Sequence, residues 1–556
     1  MTTRYEYQPL FCYISHTSLH EDPKFVALSY AWGDTKDSRM ILLENCPVTV
    51  TKNLYDAMMT LRPLEGPIHN EAEKEQQVPL MSKIYKQARQ VIGWLGNHDN
   101  DSNLAFNLFI TGFEWRRAAD ALIETGHMRS MEDLFAPNRR LVQAAALLVQ
   151  RPWFQRLWIV QEVTLTSTLE LHCGYSSIPG DVFFKAIRIL SSIVTDPPMP
   201  WLLKPYRHAL KLGQLRAQVS AGQNYSFPHL AQVLSGWHCS KVHDRLIALF
   251  GLVFRDTEAW FTPSYSISGP DFYAEFAKRH IHMTGSLSIL HYAGCGDSDA
   301  HRLLRAEDRV ILQANPPADD IASWVPDWRV RSRPLTLSPN VENGSIGFAA
   351  TDSVPEFKLN HHILHVRARE MDKIKVYGYP YYESLGRSLK MTEIETFNHW
   401  FNLANSFLKD ADVESMFSST LVMDGKVAVT ERQDIGVNST DVPSLFGHWA
   451  SKHLDDVKRP RGDYWQNGVE ESTRYSYIAE EICRNRTFFI TEAGRLGLGS
   501  VHVSPGAFIY LIHGLKSPFK IHHSHGMHVL RGECYVHGLM DRRIQCSGQD
   551  SFLYLK

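Results

Sequence analysis

Two short apolar runs constrain the fold of the amino-terminal part of this chain more than any other sequence feature. Phe25–Trp32 and Val91–Leu95 are mainly apolar and have the length of buried strands. Between them, apolar side chains recur at the spacing of one helix face, at Leu54, Ala57, Met58 and Leu61. Because buried strands joined by amphipathic helices build a parallel sheet with helices on its faces, the sequence predicts one α/β layer over residues 1 to about 180.

The remaining sequence divides by its pattern into three further predicted regions. Residues 181–375 are mainly amphipathic helix and contain a loop rich in tryptophan and proline, Ser323–Trp328. Residues 376–485 combine helical and irregular stretches, and residues 486–556 hold short β-rich runs broken by glycine and Pro-Gly. We therefore expect an α/β domain, a mostly helical middle and a small β-rich carboxyl-terminal unit.

Charge and composition exclude several classes of protein. The chain has 556 residues, a net charge of −2 and a pI of about 7, so no basic field predicts binding to nucleic acid. No apolar stretch reaches the roughly 18 residues of a membrane span, and the amino terminus lacks the pattern of a signal peptide. The eight cysteines contain no CxxC pair, which argues against a zinc site and a disulfide framework. A cytoplasmic protein is the expectation.

A series of sequence blocks resembles, in family order, the fungal heterokaryon-incompatibility (HET) domain. The amino-terminal blocks are "YEYQPL", "FVALSYAWGD", "VTVTKNLYDAMMTLR", "QQVPLMSKIYKQARQVIGWLG" and "RPWFQRLWIVQEV". Further blocks, "HDRLIALFGLV", "SWVPDW" and "GECYVHGLMD", are similar to the downstream half of large HET-domain proteins. The resemblance implies a HET domain over residues 1–180, with a fold similar to the flavodoxin-like sheet of Toll/interleukin-receptor (TIR) domains.

One block of the HET family is missing from this chain. The family carries a block close to "WIDAICINQ" after the helix that ends near Arg62, whereas here "LRPLEGPIHN" runs directly into "EAEKEQQV". The block should supply a central strand and a polar loop at the edge of the sheet. Without it, we expect the sheet to lack a strand, or "PLEGPIHN" to cross the gap irregularly.

The resemblance to TIR domains indicates Glu162 as the catalytic candidate. Some TIR domains cleave NAD with a glutamate in a W-x-x-x-E helix, and Trp158 to Glu162 match this spacing. In a continuous helix, Phe154, Trp158 and Glu162 share one face. A carboxylate in a partly dry pocket can stabilise the oxocarbenium-like transition state of nicotinamide release. The alternative is a structural ion pair of this glutamate with Arg151, Arg156 or another arginine.

The carboxyl end of the first strand supplies most of the candidate binding residues. Open α/β sheets bind ligands outside the carboxyl ends of their strands. There an aromatic side chain such as Trp32 can stack on a base or a nicotinamide ring, and Gly33 permits a tight turn. The predicted substrate-binding residues are Tyr30, Trp32, Gly33, Asp34 and Trp158. The alternative is a packed aromatic cluster in which Asp34 caps a helix.

Three other motifs are given structural roles. The cluster "HHSHGMH" (His522–His528) has no acidic or cysteine ligand at a metal-site spacing beside it, which predicts a solvated strand or loop. The glycines of "GRLGLG" lack the spacing of a dinucleotide-binding motif and are interpreted as turn glycines. Cys173 beside His172 is interpreted as a buried strand residue rather than a nucleophile. No metal and no resident cofactor is predicted, and NAD enters only as a substrate.

Two functions follow from the resemblance. The first is allorecognition, in which a cytoplasmic HET effector domain triggers cell death when a non-self protein partner is sensed, with NAD hydrolysis as its output. The second is a non-catalytic interaction module that associates with like domains, or a degenerate member without activity. Because the missing block should border the site, its absence favours the second function for this chain. Neither a nucleic-acid nor a membrane partner is expected.

Overall fold

The computed structural model of the chain contains two compact units. The first comprises Met1–Asn224 and Trp237–Glu258, and the second comprises Tyr225–Gly236 and Ala259–Lys556. The structure describes residues 10–21, 23–34, 36–62, 68–69, 80–99, 101–124, 139–194, 206–253, 261, 263–294, 321–330, 334, 336–337, 354–381, 393–408, 412–425, 442–454, 475–476, 478–501, 505–540 and 549–556. Their helices and sheets confirm a mixed α/β protein with a β-rich carboxyl-terminal region. Among the helices of these ranges, none has the length and apolarity needed to cross a bilayer.

The first unit contains a five-stranded and a three-stranded sheet. Its strands are β1 (Phe11–Cys12), β2 (Val26–Tyr30), β3 (Ser38–Leu43), β4 (Cys46–Thr51), β5 (Ile68–His69), β6 (Gln90–Trp94), β7 (Leu169–Cys173) and β8 (Ser176–Pro179). The larger sheet has the order β5-β2-β6-β7-β8, in which the first four strands are parallel and β8 is antiparallel. Counted along the chain, this order is 2-1-3-4-5, so the winding of the sheet reverses between β2 and β6. The smaller sheet has the order β1-β3-β4.

The helices of both units are numbered along the chain. They are α1 (Lys52–Leu61), α2 (Met81–Gln87), α3 (Ser102–Glu124), α4 (Arg139–Val149), α5 (Pro152–Gln155), α6 (Ile159–Thr164), α7 (Gly180–Val194), α8 (Arg207–Ser220), α9 (Phe227–Val233), α10 (Asp244–Ile247), α11 (Phe250–Val253), α12 (Gly269–Thr284), α13 (Glu393–Phe407), α14 (Val413–Leu421) and α15 (Val442–His453). Short 3-10 helices lie at Leu19–Glu21, Ser288–Tyr292 and Met423–Gly425.

Both predicted strands are confirmed, and α1 covers one face of them. The hydroxyl of Thr51 accepts a hydrogen bond from the Leu54 amide (3.4 Å), which caps the start of α1. The helix stripe and the two strands share one core, formed by Val26, Leu28, Tyr30, Leu54, Ala57, Leu61, Ile92 and Trp94. Because side chains alternate along a strand, Ser29 points to the opposite face of the sheet.

The helix predicted to carry both Phe154 and Glu162 is interrupted, so this prediction is wrong. Arg156 adopts an extended conformation with ψ of 134° and forms a β-bridge with His238, which separates α5 from α6. The amide of Leu157 donates to the His238 carbonyl (2.8 Å), and the His238 amide donates to the Gln155 carbonyl (2.6 Å). Backbone bonds to a distant segment therefore replace the helical bonds at this point.

At the chain position of the missing family block, the described residues form a strand of two residues. β5 pairs in parallel with Val26 and Ala27 and lies at the edge of the sheet rather than in its centre. Apart from β5, the predicted irregular crossing by "PLEGPIHN" falls outside the described residues. β2 therefore pairs with β6 along its whole length and with β5 over its first two residues.

The second unit is built around a closed ring of strands. Its strands are β9 (Phe357–Asn360), β10 (Ile363–Tyr381), β11 (Arg486–Thr491), β12 (Leu496–Ser500), β13 (Phe508–Ile512), β14 (Phe519–Ser524), β15 (Met527–Val536) and β16 (Asp550–Leu555). They follow the order β11-β12-β15-β14-β13-β10-β16, and β10 also pairs with β11. Strands β10 to β15 thus close into a six-stranded barrel, which leaves none of the six as an open edge.

The barrel wall separates two apolar cores. One core lies on one side of the wall and contains Ile374, Phe489, Ile509, Cys534 and Val536. The other, larger core joins the opposite side of β11 and β12 to helices α13, α14 and α15. The alternation of apolar side chains on both faces of β11 explains why all six of its residues are buried.

The interpretation of "GRLGLG" as turn glycines is wrong for two of its three glycines. Gly494 does lie in a turn, with φ of 76°. Gly497 and Gly499 are inside β12, where each allows a close approach. A Cβ atom at Gly497 would lie 2.3 Å from the Phe489 ring, and one at Gly499 would lie 2.8 Å from the Lys520 side chain.

The histidine cluster forms a hairpin between β14 and β15, which confirms its placement in strands and a loop. His523 lies directly opposite His528 across the two strands. The turn consists of His525 and Gly526, with φ of 49° and 76°. The His523 ring stacks on Phe508 at 4.3 Å between centroids, so aromatic packing accounts for its position.

Candidate functional site

The carboxyl ends of three parallel strands meet at one edge of the five-stranded sheet. Tyr30 at the end of β2 pairs with Trp94 in β6, and Trp94 pairs with His172 in β7. The loops that follow turn sharply at Gly33 and Gly96, with φ of 73° and 103°. These strand ends and loops are the candidate site.

Asn53 connects the start of α1 to the ends of two strands. Its Nδ2 donates to the carbonyl of Ala31 (2.6 Å), and its Oδ1 accepts from Nε1 of Trp94 (3.0 Å). A Cβ atom at Gly33 would lie 3.5 Å from the Asn53 Cβ, so the chain after β2 closely follows the helix start. Sequence reasoning missed Asn53, for which the position in the first turn of a capped helix was the available signal.

Arg151 organises the loops after β6 and β7, and sequence reasoning missed this role as well. Its Nη1 donates to the carbonyls of Leu95 (3.0 Å) and Asn97 (2.9 Å) and lies 3.1 Å from Sγ of Cys173. Its Nη2 binds Oδ2 of Asp99 at 2.7 Å. Because its side chain is only 14 % exposed, the guanidinium fixes these loops from inside.

Asp99 is expected to make stability depend on pH. Burial raises its pKa, but hydrogen bonds from Ser102 and Arg151 outweigh burial and lower the pKa from 3.8 to about 2. A carboxyl group with a lowered folded-state pKa stabilises the fold above its unfolded-state value, and this contribution is lost as pH falls towards the folded-state value. Asp99→Asn should therefore lower the melting temperature at neutral pH, and the difference should shrink below about pH 4 and disappear as the pH falls through about 2.

The Asp99→Asn difference should be small because the Asp99 side chain is 60 % exposed and solvent screens its charge. Scanning calorimetry at stepped pH values measures it. Two melting curves that differ by the same amount at neutral and acidic pH would contradict the assignment.

Cys173 is buried in β7, as predicted. Burial raises the pKa of its thiol, while Ser102 and Arg151 oppose this to a lesser extent. Burial also lowers the pKa of the neighbouring His172. A buried neutral thiol is a poor nucleophile, which supports packing as its role.

Glu162 lies on the face of the sheet opposite α1. Its carboxylate accepts a hydrogen bond from Oγ of Ser29, which in turn accepts one from Nε1 of Trp153 (2.8 Å). Glu162 has 0 % exposure, and both Ser29 and Trp153 are buried. Gly93 makes room for this arrangement, because a Cβ atom there would lie 2.8 Å from the Trp153 ring.

The other predicted site residues are distributed over three places. Trp32, Gly33 and Asp34 are exposed after the end of β2, with Trp32 at 41 % exposure. Tyr30 is buried in the core under α1, and Nε1 of the buried Trp158 donates to Oδ2 of Asp244 (3.1 Å). The structure therefore groups the exposed residues at the strand end, and it does not bring Tyr30 and Glu162 to the same face.

The alternative role of Asp34 as a helix cap is wrong. Its Oδ1 accepts from the Lys36 amide (2.9 Å), and its carbonyl accepts from the Asp37 amide (3.1 Å). The turn leads into β3 rather than into a helix. Asp34 is thus held as the first residue of a tight turn.

Metal binding has no support in the described part of the chain. Within it, no group of three or more histidine, cysteine, aspartate or glutamate side chains is arranged to hold a metal ion. At the strand ends, the Trp32 side chain can form hydrogen bonds and stack on a ring. The carboxylate of Glu162 is buried on the other face of the sheet.

Comparisons with known proteins find a family that matches the part of the chain with the first three strands of this sheet. Residues 25–162 match the family described as "Heterokaryon incompatibility protein (HET)". Over an alignment of 654 residues, the chain is 23 % identical to "Heterokaryon incompatibility protein 6, OR allele" of Neurospora crassa, with 98 % of this chain and 93 % of that protein covered. No solved structure matches the chain significantly. The family match runs from the residue before β2 to Glu162.

Proposed function

We propose that the protein acts in fungal non-self recognition in the cytoplasm, because residues 25–162 match the HET family. In this proposal, contact with a non-self protein partner makes the HET domain bring about cell death. The observation that carries it is the family match over residues 25–162, which include β2, β5 and β6 of the five-stranded sheet, together with similarity to a heterokaryon incompatibility protein along nearly the whole chain.

The output that the geometry supports best is assembly of HET domains without catalysis. A catalytic carboxylate must reach its substrate, but Glu162 has 0 % exposure and is bonded to Ser29 beneath the sheet. In this position the carboxylate attaches α6 to β2. The absence of the "WIDAICINQ"-like block supports the same choice, since that block should border the site.

NAD hydrolysis is the second candidate output, and the strand order supports it. The order 2-1-3-4-5 is that of flavodoxin-like sheets, whose ligands bind at the reversal of winding, here between the ends of β2 and β6. Trp32 is exposed at this point, where it can stack on a nicotinamide or adenine ring. In this candidate, α6 has to move so that Glu162 reaches the ribose.

Expression in a fungal host is expected to test the proposed function. The unsubstituted full chain under an inducible promoter should cause cell death, scored as uptake of a vital dye. Val91→Asp should abolish it, because Val91 has 0 % exposure in β6 and a buried charge unfolds the domain. Val182→Asp is the matched control, since Val182 is 43 % exposed on α7 and should leave cell death unchanged.

Two results would refute the proposed function. The first is survival of cells that express the unsubstituted chain, both when they grow alone and after they fuse with cells of an incompatible strain. The second is equal cell death with the unsubstituted and Val91→Asp chains, which would separate the phenotype from the HET domain.

A further inference from the structure

The three-stranded sheet of the first unit has one face in the core and one face in solvent. Ile41 and Val50 point towards α1, and Ile41 is buried. Side chains alternate along strands and are paired across them, with Phe11 opposite Leu42 and Met40 opposite Thr49. We call the solvent side the outer face, formed by Phe11, Met40, Leu42, Pro47 and Thr49.

The outer face is unusually apolar for an exposed surface. Phe11 is 48 % exposed and Met40 is 66 % exposed. In the chain after β1, Tyr13 and Ile14 are also exposed, at 74 % and 54 %. None of the five outer-face residues carries a charge. A contiguous patch of this kind marks an interaction surface.

The charges around the outer face indicate what kind of partner it fits. Lys36 and Arg39 are exposed near one end of β3 together with Asp37, which forms an ion pair with Arg39 at 3.0 Å. Glu44 is exposed in the turn at the other end. Both signs are therefore present in balance, which neither nucleic acid nor an anionic membrane would select. A balanced rim is complementary to itself across a two-fold axis.

We propose that the outer face is a self-association surface, on which a second copy of this protein is seated about a two-fold axis. The proposal rests on the assembly form of the proposed function. The largest patch on a monomer is about 300–600 Å², and a standard interface needs about 800 Å² from each partner. We therefore expect a weak dimer whose formation depends on protein concentration.

Sedimentation velocity of the full chain over increasing concentration tests the proposal. The sedimentation coefficient of the unsubstituted protein should rise from that of a monomer towards that of a dimer. Met40→Glu and Phe11→Glu should each keep the protein monomeric over the same range, because a charge would be buried without a partner. Leu147→Glu is the matched control, since Leu147 is 53 % exposed on α4 and lies outside the outer face.

The outcomes separate this proposal from its competitors. A monomeric unsubstituted protein, or a Met40→Glu variant that dimerises normally, would overturn it. If the chain dimerises only after residues 1–9 are deleted, this segment of the same chain is the occupant, and the proposal is wrong. Circular dichroism of each variant shows that the fold is retained. If the protein is strictly monomeric and still kills the fungal host, the outer face is not a self-association surface, but the proposed role in non-self recognition stands.

Discussion

Trp153→Ala is expected to lower the free energy of unfolding of the first unit by about 3–5 kcal/mol. The Trp153 side chain is 1 % exposed and contacts the sheet through the space left by Gly93. Its ring also packs edge-to-face on Phe154 at 4.9 Å. Truncation leaves a cavity at the centre of the layer, which the surrounding side chains fill only partially. It also removes the Nε1–H group that donates a hydrogen bond to Oγ of Ser29.

Hydrogen exchange followed by mass spectrometry in increasing urea measures this loss locally. Peptides that contain β2 and β6 report the opening free energy of the sheet itself, which a global melting curve of a chain with two units does not. Trp153→Phe keeps most of the ring and should lose only about 1–2 kcal/mol, mainly because Ser29 is left without this donor.

Trp32→Ala is the matched control for Trp153→Ala. Trp32 is 41 % exposed, so its removal should change the opening free energy of the sheet by less than about 0.5 kcal/mol. An equal loss in Trp32→Ala and Trp153→Ala would mean that the exposed strand end, and not the buried indole, stabilises the layer.

The elements of the first unit that could be predicted are those with a local pattern. Continuous apolar runs place β2 and β6, and the stripe through Leu54 and Leu61 places α1, because periodicity depends only on the residues concerned. The break at Arg156 could not be predicted in the same way. It depends on backbone bonds to His238, which is 82 positions away in the chain.

The candidate site shows the same division between local and distant causes. The sequence indicated the exposed strand end at Trp32 and Gly33 because ligand sites follow the carboxyl ends of buried strands. It did not indicate the role of Arg151 in holding the loops, because two of its partners are the backbone carbonyls of Leu95 and Asn97, which no sequence pattern marks. Nor did it indicate that Glu162 is completely buried, where its carboxylate accepts a hydrogen bond from Ser29.

Burial of Glu162 has a consequence for both candidate outputs. The Glu162 carboxyl group accepts a hydrogen bond from the Ser29 hydroxyl, which itself accepts one from the Trp153 indole, and all three side chains are buried. In the assembly output this arrangement only connects α6 to β2. In the NAD output the same carboxylate is inactive until α6 moves, which would make the free protein a resting state.

Glu162→Gln is expected to separate the two outputs. If the HET domain cleaves NAD, the substitution should slow nicotinamide release by about 10²-fold or more, because glutamine keeps the size of the side chain but not the charge that stabilises an oxocarbenium. The proposed assembly output predicts a different result. Cell death in the fungal host should persist with Glu162→Gln, and neither protein should release nicotinamide.

Glu170→Gln provides the matched control for this experiment. Glu170 is a partly buried glutamate of β7 that accepts a hydrogen bond from Gln90 (2.7 Å), and glutamine can preserve this bond. Melting curves of both variants show whether the fold is kept, since a buried amide at position 162 must satisfy two additional N–H groups. Loss of both cell death and nicotinamide release in folded Glu162→Gln, with Glu170→Gln active, would refute assembly and establish catalysis by Glu162. Nicotinamide release at the parental rate in Glu162→Gln would instead show that another group carries the chemistry.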